Sequence, residues 1–203
     1  MKSRLIISPH HDDEILGCGG IMSKFRDDQF FILEVTAPDE TRRGEAEAAF
    51  GVYPNIKEVH CLERNDASTG DGMTQKDIPQ LAKDIADYVA KIRPDVVYIP
   101  FSSLHQDHQL VNHAARVALR AYNWLILEYE YAESLTQFGQ MEPNYFERLN
   151  KDDIECKCQA MGRFDSQIKS DRDTQSILAL ATLRGYSAQW PYAEGFRLVR
   201  QIG

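Results

Sequence analysis

"SRLIISPHHDDEILGCGG", residues 3–20, decides the fold, because an apolar run, a charged cluster and a helical pattern follow one another without a break. Leu5-Ile6-Ile7 reads as a buried strand. His10-His11-Asp12-Asp13-Glu14 comes directly after it, and Ile15, Leu16, Ile21, Met22 and Phe25 then keep helical spacing over about residues 13–27. Further along, the same unit recurs. Strands are expected at 30–36, 56–62 and 95–100, and helices at 38–51, 75–92 and 107–121. That alternation predicts an α/β fold, a Rossmann-like, mostly parallel sheet with helices on both faces. From Trp124 the rhythm changes: strands at 123–132 and 144–150, helices near 152–168 and 172–184, and a last strand over 194–200 give an altered C-terminal third. No repeat or Pro/Ser-rich linker divides the chain, so residues 1–203 are expected to form one domain.

A second charged cluster, His105-Gln106-Asp107-His108, lies just beyond the strand at 95–100. In the doubly wound order 3-2-1-4, strands one and four are neighbours and ligands bind outside their carboxyl ends. The two clusters are therefore expected to face one crevice. Imidazole and carboxylate together suit a divalent metal, and a catalytic zinc keeps three protein ligands and one open position. Asp12 and Asp13, adjacent at a strand end, must point in different directions, so one can bind metal while the other faces water. Gly17-Cys18-Gly19-Gly20 looks like part of a dinucleotide-cradling turn, but such a turn must follow its strand immediately. Here three carboxylates intervene and would repel a pyrophosphate. Close packing of helix on sheet is the better reading of these glycines. His60 and His113 are expected to be ordinary packing or surface histidines.

With these clusters in place, the chain resembles the PIG-L/LmbE-like family of zinc-dependent N-acetyl-sugar deacetylases. The family's HPDDE motif is matched by His10-His11-Asp12-Asp13-Glu14 and its HPDH motif by His105-Gln106-Asp107-His108; "TRRGEAEAAFG" (41–51) looks like its RxxEA segment. Ser166-Gln167, Arg184-Gly185 and "AEGFRL" (193–198) are similar too. The resemblance implies His10, Asp13 and His108 as metal ligands, Asp12 as general base, His105 as the group that supports the oxyanion, and Asp107 as the residue that orients His105. Arg42 is the implied substrate arginine, although Arg43 is its equal in sequence. His11 and Gln106 stand where the family has prolines, and Ser103 where some members carry Asp or Tyr. His11 has no role beyond filling its turn.

The expected activity is removal of the acetyl group from an N-acetylated, glucosamine-type sugar, glycoside or nucleotide sugar, with one Zn²⁺ per chain. A His₂Asp site with an open position also accepts Fe²⁺. Protonated His105 would support the oxyanion, and either Asp12 or His105 would protonate the departing amine. A metal phosphoesterase and a catalytically silent sugar- or metal-binding module are the rivals. The loop 63–74, with Asp66, is a candidate acceptor contact or simply solvated.

Composition sets the partners. With 23 Lys+Arg against 31 Asp+Glu, the net charge of −8 argues against a nucleic-acid partner. No stretch of about 18 apolar residues appears, so no membrane insertion is expected. Cys18, Cys61, Cys156 and Cys158 lack paired zinc-finger spacing, and reduced thiols in a cytoplasmic protein are the expectation. Self-association to a homo-oligomer is left open.

Overall fold

The computed structural model describes residues 1–67, 69–122, 124–131, 141–168 and 172–201. The α/β expectation is met. Strands β1 (Ser3–Ser8), β2 (Gln29–Thr36), β3 (Ile56–Arg64), β4 (Val96–Pro100), β5 (Leu125–Tyr129), β6 (Tyr145–Leu149) and β7 (Tyr192–Arg200) form a seven-stranded sheet in the order β3-β2-β1-β4-β5-β7-β6. The first five run parallel. β7 is antiparallel to both β5 and β6. Residues 123 and 132, within the strand expected over 123–132, lie outside the described residues.

Helices α1 (Asp13–Lys24), α2 (Glu40–Phe50), α5 (Lys151–Met161) and α6 (Thr174–Ser187) serve one apolar layer; α3 (Ile78–Ile92) and α4 (Gln106–Leu119) serve the other. β1 shows how the sheet divides them. Ile6 joins the first core, while Leu5 and Ile7 join the second, as alternate side chains of a strand must. A strand buried on both faces reads as a continuous apolar run.

Helix ends follow local chemistry. Asp39 caps α2 by accepting the Arg42 N–H at 2.8 Å. Arg93 takes a left-handed conformation at the end of α3, just before Pro94. The expected 152–168 helix stops at Met161 before Gly162, and a short 3₁₀ turn follows over Asp165–Gln167.

The glycines of α1 are packing residues. A Cβ on Gly17 would lie 2.1 Å from the Tyr129 ring, one on Gly19 2.8 Å from Lys157 Cγ, and one on Gly20 2.4 Å from Leu149 Cδ1. Glu194 of β7 ties the C-terminal third to this helix: its carboxylate accepts the Gly20 and Ile21 N–H groups at 2.8 Å each and meets Lys157 Nζ at 2.7 Å.

Candidate active site

α1 and α4 both start at the carboxyl ends of neighbouring strands, β1 and β4. Their first turns therefore face one crevice, and the positive ends of both helices favour the carboxylates Asp13 and Asp107 there. Asp12 and His105 occupy the N-cap positions, yet neither side chain caps its helix. At Asp12 the backbone is strained, with φ at 154° and ψ at −28°. Glu14, fully buried, holds this turn by accepting the Asp12 N–H at 3.2 Å and the Ser8 hydroxyl at 2.8 Å.

Three acceptor atoms converge in the crevice. His10 Nδ1 lies 3.2 Å from Asp13 Oδ2, Asp13 Oδ2 lies 3.1 Å from His108 Nε2, and the two imidazole nitrogens are 3.3 Å apart. The other ring nitrogens fix what these atoms carry. His10 Nε2 faces Asp107 Oδ2 at 3.0 Å and Asp66 Oδ2 at 3.4 Å, so its proton belongs on that side. His108 Nδ1 contacts the Tyr131 hydroxyl, which itself donates to the Phe101 carbonyl at 3.1 Å. The tyrosine oxygen is thus left to accept from Nδ1–H, and His108 Nε2 keeps its lone pair. Two imidazole lone pairs and a carboxylate aimed at one point call for a cation. Tetrahedral ligands about 2.0–2.2 Å from a metal stand about 3.3–3.6 Å apart. Closely spaced donors here therefore fit a single ion. Among the described residues, His10, His105 and His108 also cluster within 4.8 Å, as do His10, Asp66 and Asp107. Both groups share His10 with the triangle.

Electrostatics agree with a cation at this point. Burial opposes charge on His10, but Asp107, Asp13 and Asp66 outweigh it and hold its pKa well above the ordinary imidazole value. Burial likewise opposes charge on Asp13, and His108 and His10 more than compensate, keeping its carboxyl well below the usual range. Asp12 is pushed up to about 6 by burial and then by Asp13, against the pull of Arg172, Arg42 and His10. Arg172 holds Asp12 Oδ2 at 2.8 Å. Asp12 Oδ1 is buried without a hydrogen-bond partner among the described residues.

Asp107 Oδ2 stands 3.7 Å from His105 Nδ1 and also bonds His10 and the Ala67 N–H (3.0 Å). Burial and the neighbouring His10 and His108 lower the pKa of His105, against the pull of Asp107. His105 stands at the rim, its ring centroid 4.8 Å from that of His10.

The structure also separates residues that are equal in sequence. Arg42 acts on Asp12 through its charge, whereas Arg43 pairs with Glu63 at 3.3 Å. Ser103 Oγ touches His108 Nδ1 at 3.2 Å and accepts the His105 N–H at 3.1 Å. Asp66 belongs to the crevice and is no solvated loop residue. Among the remaining histidines, His60 stacks on Tyr88 and His113 is exposed rather than packed. His11, without an expected role, meets Glu34 in a close buried contact. Burial, then Arg42 and Arg43, push His11 down to about 4, and burial pushes Glu34 up to about 8. Arg172 and Tyr131 were not among the expected site residues; each comes from a segment far from either motif and carries no local signal.

Residues 5–119 match the PIG-L family, described as GlcNAc-PI de-N-acetylase. The chain is 25% identical, over 239 aligned positions, to the diacetylchitobiose deacetylase of Thermococcus kodakarensis, covering 100% of this chain and 85% of that one. The N,N'-diacetylchitobiose deacetylase of Pyrococcus horikoshii superposes with a TM-score of 0.74 at 21% identity, covering 98% of this chain and 84% of that one. The 4-carboxy-2-hydroxymuconate hydratase of Pseudomonas putida superposes with a TM-score of 0.74 at 18% identity, covering 100% and 98%. One fold thus carries both an amide hydrolase and a hydratase, and the reaction has to be read from the site.

Proposed function

The chain belongs to the PIG-L family, and we propose from that premise how it works as an N-deacetylase of N-acetylated sugars. His10 Nδ1, Asp13 Oδ2 and His108 Nε2 are the ligands of one divalent metal, with zinc the best match to two imidazoles and a carboxylate. When bound, such a metal supplies Lewis acidity, which polarises an amide carbonyl and acidifies water. The observation that carries this reading is the triangle of donor atoms, whose spacing one divalent cation would satisfy.

The residues around the triangle supply the rest. Asp12 is the general base: Arg172 fixes one of its oxygens and leaves Oδ1 to take a proton from the attacking water. The strained backbone at Asp12 turns this carboxylate away from helix capping and toward the chemistry. His105, at the rim, donates an N–H to the developing oxyanion, a contribution worth roughly 3–4 kcal/mol for one donor. Asp107 serves through His10, holding the tautomer that frees Nδ1. Arg42 contributes positive charge near the mouth, where a sugar hydroxyl or phosphate would sit.

The substrate we propose is a glucosamine-type sugar, as a free sugar, a glycoside or a nucleotide sugar. Elements from both ends of the chain build one sheet, which supports reading 1–203 as one domain. Among the described residues no helix is long and apolar enough to cross a membrane. A bridged two-metal phosphoesterase is disfavoured, because every candidate metal group in the crevice draws on His10. An acetate-release screen over free, glycosidic and nucleotide-linked N-acetyl sugars, before and after chelation, tests the proposal. Release from at least one class that stops on chelation and returns with Zn²⁺ is expected. Release undiminished in metal-free protein would refute it.

A further inference from the structure

The residue left without a role in the HHDDE motif points to a second site. His11 stands where the family motif has proline, and its side chain turns away from the crevice toward the ends of β2 and β3. There it meets Glu34, and Glu34 pairs in register with Cys61 on the neighbouring strand. Paired residues of adjacent parallel strands send their side chains to the same face, so the carboxylate and the thiol stand side by side. One donor atom from each of His11, Glu34 and Cys61 lies within 4.8 Å of the other two. His11 and Glu34 are buried, 4% and 1% exposed, while Cys61 is only partly covered. His11 Nδ1 and Glu34 Oε1 are buried without hydrogen-bond partners among the described residues. Leaving such atoms unsatisfied is costly unless something binds them.

The cluster is also reachable. It forms the floor of a groove of about 460 Å³ lined by Arg43, Glu47, His60 and Glu63. The arginine on the rim is already paired with Glu63 at 3.3 Å, so its charge is partly offset. Among the described residues, the hydrogen bonds of Cys61 are long sulfur contacts, 3.4 Å to the Thr36 carbonyl and 3.4 Å from the Glu63 N–H. Neither prevents the sulfur from acting as a ligand.

We propose that His11, Glu34 and Cys61 form a second divalent-metal site, suited to Zn²⁺ by its imidazole, carboxylate and thiolate donors and open to the groove for a fourth ligand. It shares no residue with the crevice triangle, so it is a separate site and no bridged dinuclear centre. Binding there displaces the proton of the Cys61 thiol and that of the Glu34 carboxyl, which burial pushes up to about 8. The proposal does not depend on the deacetylase mechanism: the crevice can be correct and this site wrong, or the reverse.

Cobalt distinguishes the two sites, because only this one contains sulfur. Titrating the full chain with Co²⁺ under reducing conditions should produce a near-ultraviolet thiolate-to-cobalt charge-transfer band. The band should vanish in Cys61→Ser and persist in Cys156→Ser/Cys158→Ser and in Asp13→Asn. His11→Pro, which restores the family residue, should shift its appearance to higher cobalt concentration. In the wild type, Zn²⁺ should also slow modification of Cys61 by a thiol reagent, a readout that needs no variant. Absence of the band in the wild type at saturating cobalt, its survival in Cys61→Ser, or unchanged Cys61 reactivity with zinc would each overturn the site.

Discussion

His108 can serve a metal through Nε2 only if a proton sits on Nδ1, and that proton is held by a residue outside both motifs. The Tyr131 hydroxyl donates to the Phe101 carbonyl at 3.1 Å, which leaves its oxygen to accept from His108. Removing such an outer hydrogen bond commonly costs about 10–100-fold in metal affinity. Tyr131→Phe should therefore weaken the crevice metal by about that factor while the fold is kept, measured by competition with a chelating dye; unchanged affinity would contradict the assigned tautomer. Ser103 Oγ, 3.2 Å from the same nitrogen, is the residue that limits the loss, and adding Ser103→Ala should deepen it. At this scale the sequence reading located His10, Asp12, Asp13, His105 and His108 in one crevice, because each lies in a dense local pattern after a strand. It could not locate Arg172 or Tyr131, single residues delivered by folding. Nor could it foresee that Asp107 also bonds His10, a contact made only when the two motif turns meet in the fold.

At the scale of elements, α1 opens with Asp13 and packs tightly against the sheet through its glycines. Gly17 is the contact that allows this: a Cβ there would stand 2.1 Å from the Tyr129 ring. Tyr129 in turn donates to the Ile7 carbonyl at 3.0 Å, just before the HHDDE turn. Alanine at this position gains about 1 kcal/mol in helix propensity. Overpacking a tight contact costs about 1–3 kcal/mol or more, and here an aromatic ring held by a hydrogen bond has little room to move. Gly17→Ala should thus be a net destabilisation, read as a lower urea midpoint at constant slope. A stabilised variant would mean that α1 can ride outward without loss. The packing role of these glycines was legible, because acids between strand and helix ruled out a phosphate cradle. Another pair of motifs became intelligible only in three dimensions. Glu45 of the RxxEA segment accepts the Ser166 N–H and hydroxyl at 2.8 and 2.6 Å, so the SQ motif anchors the middle of the C-terminal third to α2. Arg184 similarly grips Glu130 at 2.5 and 2.7 Å.

Across the whole molecule, the parallel half was readable because local periodicity and short connections impose the order β3-β2-β1-β4. The other half was not. β7, the last strand, inserts between β5 and β6, a pairing set by long-range contacts that periodicity does not encode. That insertion matters to function, because β7 brings Glu194 onto α1 and so helps to fix the helix that opens with Asp13. The central claim is a division of labour across this assembly: His10, Asp13 and His108 hold the metal, and Asp12 moves the proton. It is tested by measuring bound metal and acetate release on the same samples of Asp12→Ala and His108→Ala, both in a Cys61→Ser background so that the groove does not contribute. The account predicts that Asp12→Ala keeps its metal and loses about 10²–10⁴-fold in kcat, whereas His108→Ala loses the metal itself. Full turnover in Asp12→Ala, or undiminished metal in His108→Ala, would contradict it.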